Sequence, residues 1–452
     1  MGSSAASSIR ETHGRTVVVG LGTSGLAAVR HLHRYGIPLS VVDSREAPPE
    51  LSSMTSQLPD TPVACGGFDE EELRHAVQIV LSPGVSPEES AIASARNAGV
   101  PILGEVELFA RMVRQDVIAI TGSNGKSTVT ALLGEMMWRA GINVAVGGNL
   151  GPPALELLDN EGPCVVELSS FQLETLESLR PIAAAILNVA PDHLDRYPSF
   201  EAYRDAKARI INGAKCVVYD ADDPWLKAQC QGPSSIGITR GKPASDQFGL
   251  DSTSADSWLM FGSRRLMRES EIRLVGRHNT LNVLAALALG HVAGIPLEPM
   301  CEAARTFAGL PHRCELVATY RGVRWFNDSK GTNVGATVAA IEGLSDLGDI
   351  TLIAGGIIKE PDLKPLAEAV SARVANVILF GRDAEQLSGV LSDHAPSHRV
   401  ESLERAVELA HRLVAPAGCV LFSPAAASFD MFDNYAARGV AFTDLVRELA
   451  QC

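Results

Sequence analysis

The chain has 452 residues, of which 39 are Lys or Arg and 53 are Asp or Glu, so its formal net charge is −14. This length is enough for about three domains with buried cores. The acidic balance argues against nucleic acid or an anionic membrane as a partner, and no apolar stretch is long enough to span a bilayer. The eight cysteines are scattered without a Cys-x-x-Cys pair, which favours reduced thiols over a zinc site. We therefore expect a soluble cytoplasmic protein.

The first motif lies near the N-terminus. An apolar run over residues 15–19 predicts a strand, GLGTSG follows at residues 20–25, and a second predicted strand ends at Asp43. A glycine loop between strand and helix, with an acidic residue after the next strand, is typical of dinucleotide-binding domains. The motif indicates only that a phosphorylated ligand approaches the helix start. A nicotinamide or flavin site, another nucleotide diphosphate site and glycines that merely permit close packing all stay open.

The central motif follows the apolar run VIAI at residues 117–120, which predicts a buried parallel strand. TGSNGKST at residues 121–128 then leads into a helix predicted over 127–139. The loop amides, the positive end of the helix dipole and Lys126 favour a polyphosphate, and Ser127 or Thr128 can hold Mg²⁺. The commonest spacing needs a glycine where Ile120 stands, so an ordinary glycine turn is the alternative. The flanking strand and helix favour phosphate binding.

Two further polar residues follow predicted strands of the same region. Glu167 comes directly after the strand over 164–166, and His193 follows the strand over 183–187. Ligands collect at the carboxyl ends of parallel strands, so both side chains are candidates for Mg²⁺ binding beside the phosphates. The alternatives are a helix-start carboxylate for Glu167 and a capping or surface histidine for His193.

The rest of the chain continues the alternation of strands and helices. Residues 252–275 predict a local antiparallel patch, and the helix after it carries Asn279 and Asn282, which could cap the helix or read an adenine edge. Strands are predicted over 323–326, 350–354, 377–380 and 419–422. The pattern predicts an α/β protein of three domains in series. These are a Rossmann-like N-terminal domain over 1–104, a central P-loop ATPase-like domain with a mainly parallel sheet over 105–309, and a Rossmann-like C-terminal domain over 310–452.

Together these stretches resemble the Mur ligases of bacterial peptidoglycan synthesis, whose motifs occur here in the family's order along essentially the whole chain. The matching stretches are residues 20–25 with 43–45, 121–128, 147–149, 167–172, 192–196, 278–282, 312–313, 328–333 and 423–432. The resemblance implies an ATP-dependent amide ligase that adds D-glutamate to UDP-N-acetylmuramoyl-L-alanine through an acyl phosphate, giving ADP and phosphate. It implies small-molecule substrates, no nucleic acid or membrane partner, and a monomer. The stereochemistry of the glutamate rests on the resemblance alone.

The resemblance also implies roles for the three domains and for individual residues. The first domain would bind the UDP-substrate, the second ATP, and the third would close on ATP and bind the incoming amino acid. The ATP site would comprise Gly122, Asn124, Gly125, Lys126, Ser127, Thr128, Asn279, Asn282, Arg313 and Asp328. The UDP-substrate would contact Thr23, Ser24, Asp43, Ser44, Arg45, Gly84, Asn149, Ser169 and Gln172. The glutamate would contact Thr332, Lys359, Ser428 and Tyr435.

Four residues would be catalytic on the same grounds: Lys126, Glu167, His193 and Lys207. Ser127, Glu167, His193 and Lys207 would bind metal, with two Mg²⁺ sites and with Lys207 carbamylated. Apart from the resemblance, Lys207 would be read as an ordinary lysine on a surface helix.

One stretch departs from the family pattern. Gly-Gly-Asp-x-Lys is usual where this chain has GGIIK at residues 355–359, which puts the β-branched Ile358 where a small residue is usual. A positive φ at that position would be costly. The contact of Lys359 with glutamate therefore depends on the geometry of this loop. Three other functions stay open: an NAD-dependent oxidoreductase, an amide ligase for another amino acid or acceptor, and a non-catalytic nucleotide-binding module.

Overall fold

The computed structural model describes residues 14–194, 196–230, 234–252, 256–344, 347–359 and 362–451. These residues form three sheets in succession along the chain, with helices between the strands. The predicted α/β architecture of three domains in series is confirmed. Within the described residues, no helix has the length and apolar character needed to cross a membrane.

The first sheet has five parallel strands in the order β3-β2-β1-β4-β5. The strands are β1 (Thr16–Val19), β2 (Leu39–Asp43), β3 (Val63–Cys65), β4 (Gln78–Leu81) and β5 (Ile102–Gly104). The helices are α1 (Thr23–Arg34), α2 (Leu51–Gln57), α3 (Glu70–Arg74) and α4 (Ser90–Asn97). The strand order reverses between β1 and β4, so a ligand crevice is expected at the carboxyl ends of these two strands.

The second sheet has nine strands in the order β14-β13-β12-β11-β10-β9-β6-β8-β7. The strands are β6 (Val117–Thr121), β7 (Ala145–Gly148), β8 (Cys164–Glu167), β9 (Ala183–Ile186), β10 (Val217–Asp220), β11 (Ser235–Ile238), β12 (Phe248–Asp251), β13 (Trp258–Phe261) and β14 (Arg264–Arg268). The run from β7 to β12 is parallel. The last two pairs are antiparallel; β13 and β14 lie within the antiparallel patch predicted over 252–275, and β12 precedes it. Because β6 lies between β8 and β9, the loop after β6 opens beside the carboxyl ends of these two strands.

The helices around this second sheet lie on both of its faces. They are α5 (Glu105–Met112), α6 (Lys126–Arg139), α7 (Ser170–Leu173), α8 (Phe200–Ala208), α9 (Pro224–Gln229), α10 (Arg277–Val292) and α11 (Leu297–Thr306), with short 3₁₀ helices at Ala154–Asp159, Arg209–Ile211 and Glu269–Glu271. Helices α6, α10 and α11 share one apolar core with one face of the sheet. The other face joins a core that continues into the first sheet, where Val18 and Val41 belong to the same cluster as Val166.

The third sheet has six strands in the order β15-β16-β20-β17-β18-β19, parallel except for the pair β15 and β16. The strands are β15 (Glu315–Tyr320), β16 (Val323–Asn327), β17 (Ile350–Gly355), β18 (Val374–Phe380), β19 (Ser397–Arg399) and β20 (Cys419–Phe422). The helices are α12 (Val334–Leu344), α13 (Lys364–Arg373), α14 (Ala384–Leu391), α15 (Leu403–Leu413) and α16 (Tyr435–Gln451). Two apolar cores cover the two faces of this sheet.

Six strands were not predicted from the sequence: β3, β10, β11, β12, β15 and β19. Each contains at least one residue that is not fully buried, whereas β6 and β20 are buried along their whole length. A partly buried strand lacks the continuous apolar run that reveals a strand covered on both faces. The predicted strands are therefore mainly those at the sheet centres.

The junction between the first two sheets contains a buried acid. Glu105 begins α5 and is 2% exposed. Its Oε1 accepts a hydrogen bond of 2.6 Å from the N–H of Leu155, and its Oε2 has no hydrogen-bond partner. Burial raises the pKa of Glu105 to about 7; the nearby Glu156 also raises it, and the Leu155 N–H opposes the shift.

Because the folded-state pKa of Glu105 lies above its unfolded value of 4.5, stability associated with this carboxyl is fully present below pH 4.5 and is lost as the pH rises toward 7. We expect Glu105→Gln to abolish this loss while keeping the acceptor for Leu155. From pH 4 to pH 8 the stability of the variant relative to the parent should rise by about 3 kcal/mol. Thermal unfolding midpoints of both proteins across this range measure the effect. Glu46→Gln, which removes an exposed charge from the neighbouring N-terminal domain, is the control, and an equal rise there would contradict the prediction.

Candidate functional site

The loop between β6 and α6 leaves its backbone open towards a cavity. Gly125, the residue before α6, has φ +83°, a left-handed conformation that glycine adopts without strain. A Cβ atom at this position would lie 2.3 Å from Oδ1 of Asn282. Both the conformation and the close approach therefore require glycine here. Ser127 and Thr128 follow in the first turn of α6 and are buried.

Two lysine side chains converge on this loop. The Nζ of Lys126 donates to the carbonyl oxygens of Gly122 and Ser123, at 2.7 and 2.9 Å. The Nζ of Lys207, from α8, donates to the same Gly122 oxygen at 2.8 Å. Burial lowers the pKa of both lysines, strongly for Lys207, whose pKa the neighbouring Lys126 lowers further. The loop thus brings two basic side chains together where a polyphosphate is expected.

Lys207 is 2% exposed, so it is not the surface lysine that its sequence context suggests. Its Nζ lies 4.7 Å from the ring centroid of Tyr203, one helical turn earlier in α8. The hydroxyl of Tyr203 lies 3.0 Å from Oγ of Ser123 in the phosphate loop. Sequence reasoning did not select Tyr203 or Ser123, because their proximity depends on how α8 packs against β6.

The carboxylate of Glu167 lies at the carboxyl end of β8 and is buried. Its Oε1 accepts a hydrogen bond of 2.6 Å from Nδ2 of Asn149, while its Oε2 has no partner among the described residues. A buried carboxylate oxygen without a partner is costly, and a cation could satisfy it. Asn149 was predicted to contact the UDP-substrate. In the structure it also orients Glu167, a predicted metal ligand.

His193 lies in a turn with φ +56°. The adjacent Asp192 accepts a hydrogen bond of 2.9 Å from the His193 N–H, and its Oδ2 lies 3.6 Å from Nε2 of His193. Sequence reasoning did not select Asp192, although its position beside His193 was a usable signal. Asp195, from the matching stretch 192–196, lies outside the described residues. Among the residues that are described, no group of three or more His, Cys, Asp and Glu side chains could hold a metal by itself.

The two asparagines of α10 form a hydrogen-bonded pair. Nδ2 of Asn282 donates to Oδ1 of Asn279 at 2.9 Å, and Nδ2 of Asn279 donates to the carbonyl of Val275 at 2.7 Å. Gly276 is the N-cap residue of α10, and no side chain caps this helix end. Asn282 also lines a second cavity of about 1180 Å³, which lies between the central sheet and helices α12 and α13.

The C-terminal domain approaches the phosphate loop directly. Nη2 of Arg313 donates to Oγ of Ser127 at 2.7 Å, and Nδ2 of Asn333 donates to Oδ2 of Asp192 at 3.1 Å. Asp328 is buried, with hydrogen bonds from the Ser423 hydroxyl and the Cys314 N–H. Burial raises the pKa of Asp328 to about 7, although these hydrogen bonds and Arg313 oppose the shift.

Lys330 lies beside these groups and was not selected from the sequence. Burial lowers its pKa to about 8, and the nearby Arg313 and Lys126 lower it in the same direction. Its Nζ lies 4.0 Å from the ring centroid of Tyr435. Lys330 lies in the same family-matching stretch, residues 328–333, as the predicted site residue Asp328. That position could have identified Lys330 as a site residue.

A cavity of about 410 Å³ connects these groups. The predicted site residues that line it are Gly84, Asn124, Gly125, Lys126, Ser127, Thr128, Asn149, Glu167, Ser169, His193, Lys207, Asn279, Asn282, Arg313, Asp328, Thr332 and Lys359. They come from all three sheets and their connections. The predicted site residues that do not line it are Gly122, Thr23, Ser24, Asp43, Ser44, Arg45, Gln172, Ser428 and Tyr435.

Most of these remaining residues lie at the carboxyl edge of the first sheet. Asp43, the last residue of β2, accepts hydrogen bonds from the Leu21 N–H and the Arg45 guanidinium, both at 2.7 Å. Burial alone would raise the pKa of Asp43, but Arg45 and the backbone donors lower it to about 2. Thr23 and Ser24 begin α1, and Ser44 is exposed. This group is separate from the phosphate loop.

Gln172 and Ser428 are both buried. The side chain of Gln172 accepts from the N–H and hydroxyl of Ser169, which forms a capping box at the start of α7. The carbonyl of Ser428 accepts from the Phe432 N–H at 2.9 Å. The Gln172 contacts are those of a helix cap, whereas the Ser428 contact is made by the backbone.

The loop that departs from the family pattern carries no strained isoleucine. Gly355 and Gly356 have positive φ values of 138° and 131°, whereas Ile357 and Ile358 do not have positive φ. Ile357 pairs with Ala427 through two backbone hydrogen bonds of 2.9 and 2.8 Å. The Ile358 N–H donates to the carboxylate of Asp383 at 2.9 Å. The loop therefore accepts β-branched residues, and Lys359 after it lines the cavity.

The fold and cavity define a class: a three-domain α/β protein whose central domain presents a phosphate loop between two flanking domains. Three family models match in order: the Mur ligase MurD-like N-terminal domain over residues 14–104, the Mur ligase middle domain over 120–290, and the Mur ligase glutamate ligase domain over 312–426.

Curated relatives match over nearly the whole chain. A UDP-N-acetylmuramoylalanine–D-glutamate ligase of Nitrosococcus oceani is 49% identical, with 97% of each chain covered. A protein of the same name from Pseudomonas aeruginosa is 46% identical, with 96% of this chain and 98% of that one covered. The chain belongs to the Mur ligase family.

Solved structures share the fold at low sequence identity. UDP-N-acetylmuramate-alanine ligase of Thermotoga maritima is 21% identical with a TM-score of 0.61, covering 97% of this chain and 100% of that one. MurF ligase of Thermotoga maritima, solved in complex with ADP, is 16% identical with a TM-score of 0.61, covering 99% of this chain and 96% of that one.

We expect Gly125→Ala to weaken ATP binding, because its Cβ would collide with Asn282 at the phosphate loop. Gly141→Ala is the matched control: Gly141 follows the other end of α6 with φ +76°, and nothing lies within 4 Å of its Cβ position. Both variants bear about 1–2 kcal/mol of backbone strain. Only Gly125→Ala should raise the Kd for ATP, by about tenfold or more, in calorimetric titration. Equal affinities in the two variants would contradict the assignment of the loop.

Proposed function

We propose that this chain is an ATP-dependent ligase that joins D-glutamate to UDP-N-acetylmuramoyl-L-alanine in peptidoglycan synthesis, releasing ADP and phosphate. Curated relatives covering nearly the whole chain bear the name of this activity. The observation that carries the proposal is the cavity that connects the phosphate loop with Gly84 of the N-terminal domain and with Lys330 and Lys359 of the C-terminal domain.

The reaction follows from the weakness of a carboxylate as an electrophile. A carboxylate oxygen of the UDP-substrate attacks the γ-phosphorus of ATP, the bond to ADP breaks, and an acyl phosphate forms. The glutamate amine then attacks the acyl carbon, the amide bond forms, phosphate leaves, and the nitrogen loses a proton. All the reacting groups belong to the substrates, so the protein supplies alignment and charge neutralisation. Alignment alone can contribute about 7–11 kcal/mol.

We assign the nucleotide to the central domain. Its phosphates would contact the 122–125 loop, Lys126, Ser127 and Thr128, with Arg313 approaching from the C-terminal domain. The 2.7 Å bond between Arg313 and Ser127 supports this assignment, because it joins the C-terminal domain to the phosphate loop. Asn279 and Asn282 would read the adenine, and the second cavity beside Asn282 offers space for the nucleoside. Asp328 would complete the site.

We assign Mg²⁺ to Glu167, His193, Ser127 and Lys207, in two sites. The unpartnered buried Oε2 of Glu167 fits a cation. Protein-bound Mg²⁺ commonly takes one or two carboxylates together with substrate phosphates and water, so the remaining ligands would come from ATP and solvent. When bound, the metal neutralises the phosphate charge.

The flanking domains would hold the other two substrates. Thr23, Ser24, Asp43, Ser44 and Arg45 would bind the uridine diphosphate at the carboxyl edge of the first sheet, and Gly84, Asn149, Ser169 and Gln172 the part nearer the phosphate loop. Thr332, Lys359, Ser428 and Tyr435 would bind the glutamate. We place the domain boundaries near Gly104 and Gly309; the family models that end at residue 104 and begin at residue 312 support this placement.

An NAD-dependent oxidoreductase would use the first glycine loop but leave the phosphate loop, Glu167 and His193 without a role. Phosphate release therefore tests the proposal against this alternative. With ATP, Mg²⁺ and UDP-N-acetylmuramoyl-L-alanine, we expect release with D-glutamate and little with L-glutamate or other amino acids. Preference for another amino acid would indicate a different amide ligase. No release with any of them would overturn the proposal.

Lys126→Ala should lose turnover while UDP-substrate binding survives. One charge pair at 4 Å and an effective dielectric of 20 corresponds to about 4 kcal/mol, or roughly a thousandfold in rate. Lys364→Ala removes a lysine charge whose side chain is 80% exposed and should leave kcat unchanged. Phosphate release measures kcat, and calorimetry measures UDP-substrate affinity. Loss of both turnover and UDP-substrate binding in Lys126→Ala would contradict the assignment of ATP and the UDP-substrate to different domains.

We further propose that Lys207 is carbamylated. Its buried position and the neighbouring Lys126 lower its pKa and so favour the neutral amine, whose lone pair forms a bond to the carbon of CO₂ with loss of a proton. With ¹³C-labelled CO₂, we expect one carbamate resonance in the NMR spectrum of the native protein. It should vanish in Lys207→Arg and persist in Lys215→Arg, a change at an exposed lysine. A spectrum unchanged by Lys207→Arg would refute the modification.

A further inference from the structure

Arg196, close to His193 in the central domain, contacts the backbone of the N-terminal domain. Its Nη1 donates to the carbonyl of Pro83 at 2.9 Å, and its Nη2 donates to the carbonyl of Val85 at 3.3 Å. These two carbonyls flank Gly84, which lines the central cavity. A single guanidinium therefore binds both sides of a predicted substrate contact.

The remaining contacts of Arg196 lead toward the predicted metal site. Its Nη2 forms a 2.7 Å ion pair with Glu174, and both side chains are largely buried, at 13% and 14% exposed. Its guanidinium lies 4.1 Å from the ring centroid of Phe171, and that ring lies 4.7 Å from the ring of His193. Its backbone N–H donates to the His193 carbonyl at 3.0 Å.

The segment 82–85 is fixed on its other side by the first sheet. The Ser82 N–H donates to the Val19 carbonyl at 2.9 Å, and the Ser82 hydroxyl donates to the Gly20 carbonyl at 2.6 Å. Gly20 begins the first glycine loop. Segment 82–85 thus lies between this glycine loop and Arg196. Arg196 connects the segment to the turn that contains His193.

We propose that Arg196 is a positioning residue that clamps segment 82–85 against the wall formed by Phe171 and His193. The clamp holds the UDP-substrate so that its carboxylate meets the phosphate loop. Arg196 acts through Gly84 and His193, and does not itself react. The planar guanidinium suits this role because it donates to two carbonyls and to Glu174 at once, which an ammonium cannot reproduce. The inference rests on the proposed function for the identity of the substrate.

The test uses two variants of the full chain. Arg196→Lys keeps the charge but replaces the planar guanidinium with an ammonium whose donors all lie on one nitrogen. The double variant Arg196→Met with Glu174→Gln removes both charges, so no buried carboxylate is left unpaired. We expect the double variant to raise the KM for the UDP-substrate about tenfold or more, the effect of losing hydrogen bonds from a charged donor, with a smaller rise in Arg196→Lys. The KM for ATP should stay within about twofold of the parent.

Hydrogen exchange of the Val85 amide gives a readout that does not need turnover. This amide donates to the Ser82 carbonyl, and we expect its exchange to accelerate in both Arg196 variants. Arg204→Lys is the matched control, because the Arg204 guanidinium also lies over an aromatic ring, that of Phe200 at 4.2 Å, but within the central domain. It should change neither the UDP-substrate KM nor the Val85 exchange.

A purely structural role would lower kcat or the unfolding midpoint and leave the UDP-substrate KM and Val85 exchange unchanged. That result would overturn the proposal. If the parent protein does not turn over the UDP-substrate at all, the proposed function fails, and the exchange of Val85 still decides whether Arg196 clamps the segment.

Discussion

The site depends on two lysines that share one backbone carbonyl. Lys126 and Lys207 both donate to the Gly122 oxygen; burial lowers the pKa of both lysines, and the neighbouring Lys126 lowers the pKa of Lys207 further. An anionic ligand beside the loop would stabilise the charged form of Lys126, whereas the neutral form of Lys207 is the one that the proposed carbamylation requires. A glycine loop at a helix start provides amide donors for the same anion. The rest of the site brings substrates and further charges to this point.

A ligase of this kind needs no nucleophilic side chain, because its substrates carry all the reacting groups. The three domains bring these substrates together. The N-terminal and central domains share an apolar core, which makes them one packed unit, while the C-terminal domain has cores of its own. It reaches the phosphate loop through polar contacts, Arg313 with Ser127 and Asn333 with Asp192. Polar contacts between separately packed domains are the kind that open and close without loss of a core. Such closure suits a reaction whose acyl phosphate intermediate must be kept from water.

The GGIIK stretch shows how a departure from a family pattern can be tolerated. The unusual backbone angles fall on Gly355 and Gly356, so the following isoleucines occupy ordinary conformations. Ile357 is fixed by pairing with Ala427, and Ile358 by the carboxylate of Asp383. The cost foreseen from a β-branched residue at positive φ therefore does not arise. Lys359, which follows them, lines the cavity.

The sequence by itself determined the three α/β domains, most of the central strands and the phosphate loop, because continuous apolar runs and glycine spacing are local signals. From its residues alone it also selected Lys126, Ser127, Thr128, Glu167 and His193. Other residues that line the cavity entered only through the family resemblance, namely Gly84, Asn149, Ser169, Lys207, Arg313, Asp328, Thr332 and Lys359. Tertiary structure alone decided that Lys207 is buried beside Lys126, that Tyr203 meets Ser123, and that Arg196 binds the backbone around Gly84. These contacts join residues about 80 to 115 positions apart or depend on burial. Contacts between residues so far apart in the sequence are determined by how helices and domains pack, and no local sequence pattern encodes them.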